Sequence, residues 1–223
     1  MRPGALLSPI ARRSDVRSRP VYYVLLAAGL SRRFPGNKLL ADLCGVPIVR
    51  AAAGVAAAAG LPLVVVTGND RESVVHALSG IEFHEVINSS YASGLSSSVR
   101  AAISALRDQA DAIEFAPADM PLVPPEVPRL LAGIREDSPF PLIAPRYGGV
   151  RGHPVLLGRE LYEDAASSIG GDSGLSQYIE SRRELLLEVD VGSPGVVLDV
   201  DTPEDLERIR SLAGCGRPAD QRL

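Results

Sequence analysis

The sequence predicts a single-domain, three-layer α/β/α fold built on a doubly wound, mostly parallel sheet, with a small β-hairpin insertion. Three segments, 21–27, 61–67 and 112–117, are predominantly apolar rather than alternately apolar and polar. Strands of that composition have both faces covered, as strands do in a parallel sheet between two layers of helices. Strand-like and helix-like segments alternate four times between residues 21 and 136, and 223 residues with 46% hydrophobic content can bury one sizeable core.

The first half of the chain alternates regularly between the two patterns. Strands are predicted at 21–27, 61–67, 81–87 and 112–117, and helices at 46–60, 70–78, from the end of the polar loop 88–98 to about 109, and 124–136. The second half is less regular. Predicted there are a hairpin of 142–147 and 154–157, helices at 160–167 and 173–182, strands at 185–191 and 196–200, and a last helix with Thr202 as N-cap and Pro203 at N1.

The two ends of the chain differ in composition from the predicted domain, which we place at residues 21–213. Residues 1–20 hold five arginines and three prolines and no long apolar run. This composition predicts a flexible arm rather than a secretory signal, with an upstream extension or a nucleic-acid-binding arm as alternatives. Residues 214–223 are polar and are predicted to form a loose tail.

Charge and cysteine usage exclude several classes of protein. A net charge of −4 gives no electrostatic support for binding nucleic acid or an acidic membrane surface. No apolar run approaches the roughly 20 residues that a membrane-spanning helix needs. Cys44 and Cys215 lie far apart and show no CxxC or Cys/His spacing. This argues against a disulfide framework or a zinc site and predicts a cytoplasmic protein.

The segment that follows the first predicted strand is the first candidate for a functional site. Lys38 ends a loop that contains Gly29 and Gly36, and it is the only lysine in the chain, beside 22 arginines. A lysine reaches a phosphate as a compact point charge, which an arginine does not reproduce. We therefore predict that this loop binds phosphate; the alternative is that an arginine-biased composition retained one lysine by chance.

Common motifs for other chemistries are missing from the sequence. No GxxxxGK[ST] is present, which excludes an ordinary P-loop. No GxGxxG follows the first strand, and no GxSxG is present. A dinucleotide-binding Rossmann enzyme and an α/β-hydrolase are therefore disfavoured.

Polar or small residues follow each of the first four predicted strands. In an open parallel sheet, ligands bind beyond the carboxyl ends of the strands. Asp119 follows a buried strand, where a carboxylate needs a cation or a donor, and a hydrated Mg²⁺ held by carboxylates and substrate phosphates would supply one. Asp199 and Asp201 form a second acidic pair. Either acidic segment is also a good start for a helix, which is the alternative interpretation.

Several segments together resemble a known family. Residues 26–38, LAAGLSRRFPGNK, resemble the LAAGxSxRMGxxK signature of nucleotidyltransferases with the molybdopterin-guanylyltransferase-like fold, a nucleotide-diphospho-sugar transferase-like architecture. Further segments resemble its molybdenum cofactor cytidylyltransferase branch. These are GLSSS at 94–98, ADMPLV at 118–123, RGHPV at 151–155, GDSG at 171–174 and LDVDTPED at 198–205. Two departures are Phe34-Pro35 in place of Met-Gly and an alanine in place of the glycine beside Asp119.

The resemblance implies transfer of CMP from CTP to the terminal phosphate of molybdopterin, with release of pyrophosphate and with Mg²⁺, or Mn²⁺ in its place, as the cofactor. Implied catalytic residues are Lys38, Arg33 and Asp119, and implied metal ligands are Asp119 and Asp201, with Asp199 as the alternative to Asp201. Implied nucleotide-binding residues are Leu26, Ala27, Ala28, Gly29, Lys38, Thr67, Gly68, Asn88, Gly94, Ser96 and Ser97, and implied acceptor-binding residues are His153 and Asp172. A molybdenum hydroxylase or its chaperone is an implied partner.

Three alternatives to this function stay open at the level of the sequence. The same fold could use another nucleotide or acceptor, such as GTP or a sugar phosphate. Proteins similar to this branch have been named for nicotine-pigment reduction, which would make the protein an NAD(P)H-dependent oxidoreductase. A non-catalytic carrier of the cofactor is the third alternative.

Overall fold

A mixed eight-stranded sheet forms the centre of the molecule. The computed structural model of the chain describes residues 19–215. The strands are β1 (Val21–Leu26), β4 (Leu63–Thr67), β5 (His84–Ile87), β6 (Ala112–Pro117), β7 (Leu142–Tyr147), β8 (Val150–Arg151), β9 (Val155–Gly158) and β10 (Leu186–Asp190), with β2 (Asp42–Leu43) and β3 (Val46–Pro47) in a separate hairpin. The order is β10-β7-β9-β6-β1-β4-β5, and β8 pairs with β7. Strand β9 runs antiparallel to both of its neighbours, while the pairs of β1 with β4 and β6 are parallel.

Helices cover both faces of this sheet. They are α1 (Ile48–Ala59), α2 (Arg71–Ala77), α3 (Leu95–Leu106), α4 (Glu126–Asp137), α5 (Tyr162–Ser168), α6 (Ser176–Glu180) and α7 (Pro203–Leu212). Along β1, Val24 packs into the cluster that holds α3, α5 and α6, whereas Tyr23 and Leu25 pack into the cluster that holds α1 and α2. Successive side chains of a strand point to opposite faces, so an apolar run without alternation fills two cores. The predicted three-layer α/β/α fold is confirmed.

Several element boundaries differ from the prediction. The stretch 196–200 was predicted as a strand, but Val196 and Val197 end a 3-10 turn and no strand is assigned to 198–200. Its hydrogen bonds go singly to loops, because Val196 O accepts from His153 N at 2.8 Å and Val200 N donates to Asp119 O at 2.9 Å. Single bonds of this kind join segments without building a ladder, so a β-branched composition was not enough for a strand.

The first turn of α3 contains residues that were predicted to lie in a loop. The helix begins at Leu95, and the serines at 96, 97 and 98 are buried within it. The N-terminus of α7 matches the prediction: Thr202 is the N-cap, Pro203 follows it, and Asp205 completes a capping box. The predicted arm at 1–20 and tail at 214–223 lie mostly outside the described residues.

Cys44 and Cys215 are joined by a disulfide, which corrects the expectation drawn from their spacing. Cys44 and Gly45 form the two-residue turn between β2 and β3, and both have positive φ, as a type I′ hairpin requires. The C-terminal end of α7 lies against this hairpin, and Arg210 Nη2 donates to Asp42 O at 2.7 Å. The two cysteine Cα atoms are therefore 5.4 Å apart, inside the usual range for a disulfide. A sequence separation of 171 residues gave no sign of this contact.

This disulfide should contribute measurably to stability. It closes a loop of 171 residues, and such a crosslink restricts the unfolded chain, with a typical contribution of about 2–4 kcal/mol. We expect Cys215→Ser to lower the free energy of unfolding in urea by that amount. Reductant should destabilise the wild-type protein and leave the variant unchanged. Two free thiols in the denatured, unreduced wild-type protein would contradict the pairing.

Glu114 is a carboxylic acid in the middle of the core. It lies on β6 beside Tyr23 of β1 and Leu156 of β9, it is 0% exposed, and neither carboxyl oxygen has a hydrogen-bond partner. Burial raises the pKa of Glu114 well above its ordinary value of 4.5, because the low-dielectric interior disfavours the charged form. The folded protein therefore holds a proton that the unfolded chain releases.

The raised pKa of Glu114 predicts a loss of stability as pH increases. Above the unfolded pKa the folded state binds more protons than the unfolded state, so the free energy of unfolding falls by about 1.4 kcal/mol per pH unit until the folded pKa is reached. Glu114→Gln cannot titrate, and its stability relative to wild type should rise with that slope from pH 5 upward in urea denaturation. The matched control is Glu82→Gln, the same substitution at an exposed position where the carboxylate stays in contact with water. A stability difference between Glu114→Gln and wild type that does not change with pH would contradict the prediction.

No helix among residues 19–215 is long and apolar enough to cross a membrane.

Candidate active site

The loop after β1 places the single lysine of the chain. Asn37 Oδ1 accepts a hydrogen bond from Leu39 N at 3.0 Å and so caps the 3-10 turn that begins at Lys38. Ser31 Oγ accepts from Lys38 N at 3.3 Å, and Ser31 and Gly36 both have positive φ. These turns bend the loop back over the end of the sheet, and Lys38 points inward rather than into solvent.

Lys38 lies at the centre of a four-membered charge cluster. Its Nζ is 2.5 Å from Asp119 Oδ2 and 2.7 Å from Asp201 Oδ1, and Arg33 Nη2 is 2.5 Å from Asp201 Oδ2. Burial on its own would lower the pKa of Lys38, but the charges and hydrogen bonds of Asp119 and Asp201 outweigh burial and raise it. The ammonium is therefore charged, and one cation binds two carboxylates.

The two aspartates come from different parts of the chain but are held together by backbone contacts. Asp119 follows β6, and its carbonyl oxygen accepts from Val200 N at 2.9 Å. Asp201 directly precedes the capping box of α7, where Asp201 N donates to Asp205 Oδ2 at 3.1 Å. The end of a central strand and the start of the last helix thus fix both carboxylates on one side of Lys38.

The donor set fits one divalent cation that has further ligands from a substrate. Asp119 Oδ1 is buried and has no hydrogen-bond partner, so this oxygen is free to bind a cation. Among residues 19–215, no group of three or more His, Cys, Asp or Glu side chains could hold a metal. Two carboxylates completed by water and substrate phosphates are typical of Mg²⁺ sites. The residues therefore suit a metal that arrives with a polyphosphate, not an all-protein metal cage.

A cavity of about 720 Å³ opens beside this cluster. Ten of the predicted site residues line it: Leu26, Ala28, Gly29, Arg33, Lys38, Gly94, Asp119, His153, Asp172 and Asp201. The cavity therefore extends from the loop after β1, across the end of β6, to strand β8 and the 171–174 segment. Its size is ample for a nucleotide or a small cofactor.

Six other predicted residues do not line this cavity. They are Ala27, Thr67, Gly68, Asn88, Ser96 and Ser97. Thr67 Oγ1 donates to Glu85 Oε1 at 2.7 Å, and Asn88 Nδ2 donates to Ser97 Oγ at 2.8 Å. A Cβ on Gly68 would lie 2.8 Å from Tyr91 Cβ and 2.9 Å from Ala28 Cβ. Thr67, Gly68 and Asn88 therefore contact neighbouring protein groups next to the cavity. Contact of the six residues with a nucleotide stays a prediction.

Gly94 explains how the later half of the chain reaches the site. It has a φ of 105°, and an added Cβ would lie 2.5 Å from the backbone of Gly171 and 2.7 Å from Asp172 Oδ1. Only glycine fits this close approach. The start of α3 and the segment with Asp172 therefore meet at one wall of the cavity.

His153 lines the cavity from the segment between β8 and β9. Its Nδ1 is 3.5 Å from Phe115 O, and its backbone N donates to Val196 O. Burial is the main cause that lowers the pKa of His153, and the positive charge of Arg151 acts in the same direction. The imidazole is thus neutral at neutral pH and can donate or accept a hydrogen bond.

Several residues that the sequence analysis did not assign also line the cavity. They are Leu30, Ser31, Arg32, Leu39, Tyr91, Ala92, Leu95, Ser98, Pro117, Met120, Val150, Arg151, Val196 and Val197, and Asp199, the alternative metal ligand, lines it too. Most are apolar or small, so nothing in their type marked them in advance. Several of them, Arg151 in RGHPV and Arg32 in the 26–38 segment among them, lie within the segments that carry the family resemblance.

The chain is similar to proteins of known families. A family model described as the MobA-like NTP transferase domain matches residues 23–186. The chain is 30% identical over 196 residues to nicotine blue oxidoreductase of Paenarthrobacter nicotinovorans. The matched region covers 83% of this chain and 94% of that protein. It is 28% identical over 149 residues to the molybdenum cofactor cytidylyltransferase of Escherichia coli K12, over 60% of this chain and 71% of that protein.

Solved structures of other proteins have the same fold. The crystal structure of Rv0371c from Mycobacterium tuberculosis H37Rv superposes with a TM-score of 0.75 at 26% identity, over 88% of this chain and 100% of that chain. A complex of the same protein with manganese superposes with a TM-score of 0.72 at 26% identity, over 86% and 98% of the two chains.

Proposed function

Because the chain belongs to the MobA-like NTP transferase family and is a nucleotidyltransferase, we propose that it transfers CMP from CTP to the terminal phosphate of molybdopterin. An oxygen of that phosphate forms a new bond to the α-phosphorus of CTP. The bond between the α-phosphorus and the bridging oxygen breaks, and pyrophosphate leaves.

The observation that carries this proposal is the position of Lys38. Its ammonium contacts Asp119 and Asp201 together, on the wall of a cavity large enough for a nucleotide. The reaction brings two anions together, so positioning and charge neutralisation supply most of the catalysis. A partly buried ammonium, a nearby guanidinium and two carboxylates suited to a divalent cation meet that requirement.

Each charged residue has a distinct role in the proposed reaction. Lys38 and Arg33 would bind the triphosphate, together with backbone N–H groups at Ala28 and Gly29 on the same loop. Asp119 and Asp201 would hold the divalent cation, which neutralises phosphate charge and polarises the α-phosphate when bound. The relative solved with manganese supports a divalent metal, and we propose Mg²⁺ as the ion used.

The choice of CTP and molybdopterin is supported by the cytidylyltransferase relative. In this proposal His153 and Asp172 face the acceptor, because both line the cavity and neither belongs to the loop after β1. A molybdenum hydroxylase or its chaperone would receive the product. The reaction is assigned to the cytoplasm, where its nucleotide is made; the Cys44–Cys215 disulfide does not favour that compartment.

A direct assay tests the proposal. Purified protein is incubated with Mg²⁺ and molybdopterin, with and without molybdenum, and with each of the four NTPs separately. We expect pyrophosphate release only with acceptor present, most rapidly with CTP, and a product mass that corresponds to the acceptor plus CMP. Faster release with GTP, or transfer to a sugar phosphate instead, would reassign the substrate within the same reaction class.

A second candidate function comes from the relative named nicotine blue oxidoreductase, which matches more of this chain than the cytidylyltransferase does. An oxidoreductase of this kind would bind NAD(P)H, although no GxGxxG follows β1. Quenching of NAD(P)H fluorescence on titration with the protein distinguishes the two functions. Binding of NAD(P)H without nucleotide turnover would favour the oxidoreductase, and binding of molybdopterin without either would favour a carrier.

A further inference from the structure

We propose that Arg151 binds the phosphate of the acceptor, a role that rests on the proposed function and assigns a residue on the acceptor side of the same site. Arg151 lies on β8 and lines the 720 Å³ cavity. Of the four cationic side chains among the described residues that line it, Arg32, Arg33 and Lys38 belong to the loop after β1. Arg151 alone comes from a different part of the chain, strand β8.

The guanidinium of Arg151 has unused hydrogen-bonding capacity. Among residues 19–215, its one hydrogen-bond acceptor is Glu180 Oε1, 2.8 Å from Nη1. Arginine carries five N–H donors in a planar fork that matches two oxygens of a phosphate. The Arg151 side chain is only 20% exposed, whereas Glu180 is 53% exposed. An ion pair with so exposed a partner is weak, so a ligand phosphate can take the remaining donors or replace Glu180.

Arg151 also lies where two cavities join. A smaller cavity of about 160 Å³ shares Leu26, Leu95, Pro117, Arg151 and His153 with the larger one. Its remaining wall is mostly apolar and includes Phe115, Val155 and Leu175. A molecule with an apolar or aromatic ring in the smaller cavity and a phosphate at the junction would place that phosphate between Arg151 and the Asp119 edge.

A cation on the acceptor side would offset negative charge in the cavity. Asp119, Asp172, Asp199 and Asp201 all line the larger cavity. A second anion that enters after a nucleotide meets this negative charge and that of the triphosphate. His153, two residues after Arg151, lines the same cavity. Arg151 is thus placed to offset the repulsion on the acceptor side.

The first test uses phenyl phosphate as a probe, because its binding requires no turnover. We expect the wild-type protein to bind it in a ³¹P NMR titration, and Arg151→Gln to weaken binding roughly tenfold to a hundredfold, the range for hydrogen bonds to charged groups. Arg151→Lys should recover part of this loss. Arg183→Gln is the matched control, since Arg183 is 3.7 Å from the same Glu180 but lines neither cavity, and should not change binding.

A structural role for Arg151 predicts a different pattern. If Glu180→Gln weakened phenyl phosphate binding as much as Arg151→Gln, the ion pair would serve the fold and the proposal would be overturned. Unchanged binding in Arg151→Gln, or no binding by the wild-type protein, would overturn it as well.

The second test separates this proposal from the proposed function. With CTP and molybdopterin as substrates, Arg151→Gln should raise KM for molybdopterin by a similar factor and leave KM for CTP within about twofold. Wild-type turnover with an unchanged acceptor KM in the variant would overturn the role of Arg151 alone. Phenyl phosphate binding that depends on Arg151, without turnover of any NTP, would overturn the proposed function and support the anion site.

Discussion

Lys38→Met should abolish most nucleotidyl transfer and, at the same time, tighten the binding of Mn²⁺ to the nucleotide-free protein. The ammonium of Lys38 contacts the same two carboxylates, Asp119 and Asp201, that would hold the metal. In the wild-type protein a metal ion that arrives alone must displace this ammonium. Methionine has a similar length and no charge, so the carboxylates become free for the metal.

The same contacts predict that metal and nucleotide bind cooperatively to the wild-type protein. A triphosphate offers Lys38 other anionic partners, and once the ammonium moves to them both carboxylates can bind the metal. Each ligand therefore removes an obstacle to the other, and the coupling is reciprocal. Lys38→Met should lose this coupling, because no ammonium has to move.

The measurements are direct. Free Mn²⁺ is followed by electron paramagnetic resonance with and without CTP, and pyrophosphate release is assayed in parallel. For Lys38→Met we expect turnover to fall roughly a hundredfold to a thousandfold, as for removal of one group that stabilises transition-state charge. Lys38→Arg should keep weak Mn²⁺ binding, since it keeps the charge. Arg33→Met is the control for charge alone, because Arg33 contacts only Asp201 of the two carboxylates and its side chain is 71% exposed.

Weaker or unchanged Mn²⁺ binding in Lys38→Met would mean that the metal does not use the oxygens that Lys38 contacts. The catalytic role of Lys38 and the position of the metal would then have to be separated.

The central strands could be predicted because their composition has a single explanation. The run 21–26 is apolar on both faces, and 112–117 is apolar except for Glu114; at that length such a composition is typical of a strand covered on two faces. The segment 196–200 has a similar composition but finds no neighbouring strand, since its backbone groups bond to loops that come from elsewhere in the chain. Local composition predicts that a segment can form a strand. Whether it does so depends on a neighbouring strand with which its backbone can pair.

The candidate site could be predicted in part for a related reason. The carboxyl ends of parallel strands meet at one edge, and this rule correctly placed Lys38 near Asp119. The same rule selected Thr67 and Asn88, whose side chains bond to Glu85 and to the serines of α3, and their contact with a nucleotide stays a prediction. A polar residue at a strand end looks the same in sequence whether it faces a ligand or satisfies a neighbour. Arg151 was missed because its position depends on the pairing of β8 with β7.

The choice between Asp199 and Asp201 as the second metal ligand, which the sequence left open, leads to the last prediction. Both line the cavity, but Lys38 and Arg33 contact Asp201 and neither contacts Asp199. If the ammonium marks the cation position, Asp201 is the ligand. We therefore expect Asp201→Asn to reduce turnover roughly a hundredfold or more, comparable to the loss of one major electrostatic contact.

Asp199→Asn is the matched comparison, since it removes one negative charge two residues away in the same segment. An outer carboxylate that only supports a metal site affects metal affinity by about tenfold to a hundredfold, so its effect on Mn²⁺ binding with CTP should be at the low end of that range. Asp201→Asn should cause a clearly larger loss than Asp199→Asn in both Mn²⁺ affinity and turnover. The reverse order would move the metal to Asp119 and Asp199, and the contact of Lys38 with Asp201 would then hold the lysine in place rather than mark the cation position.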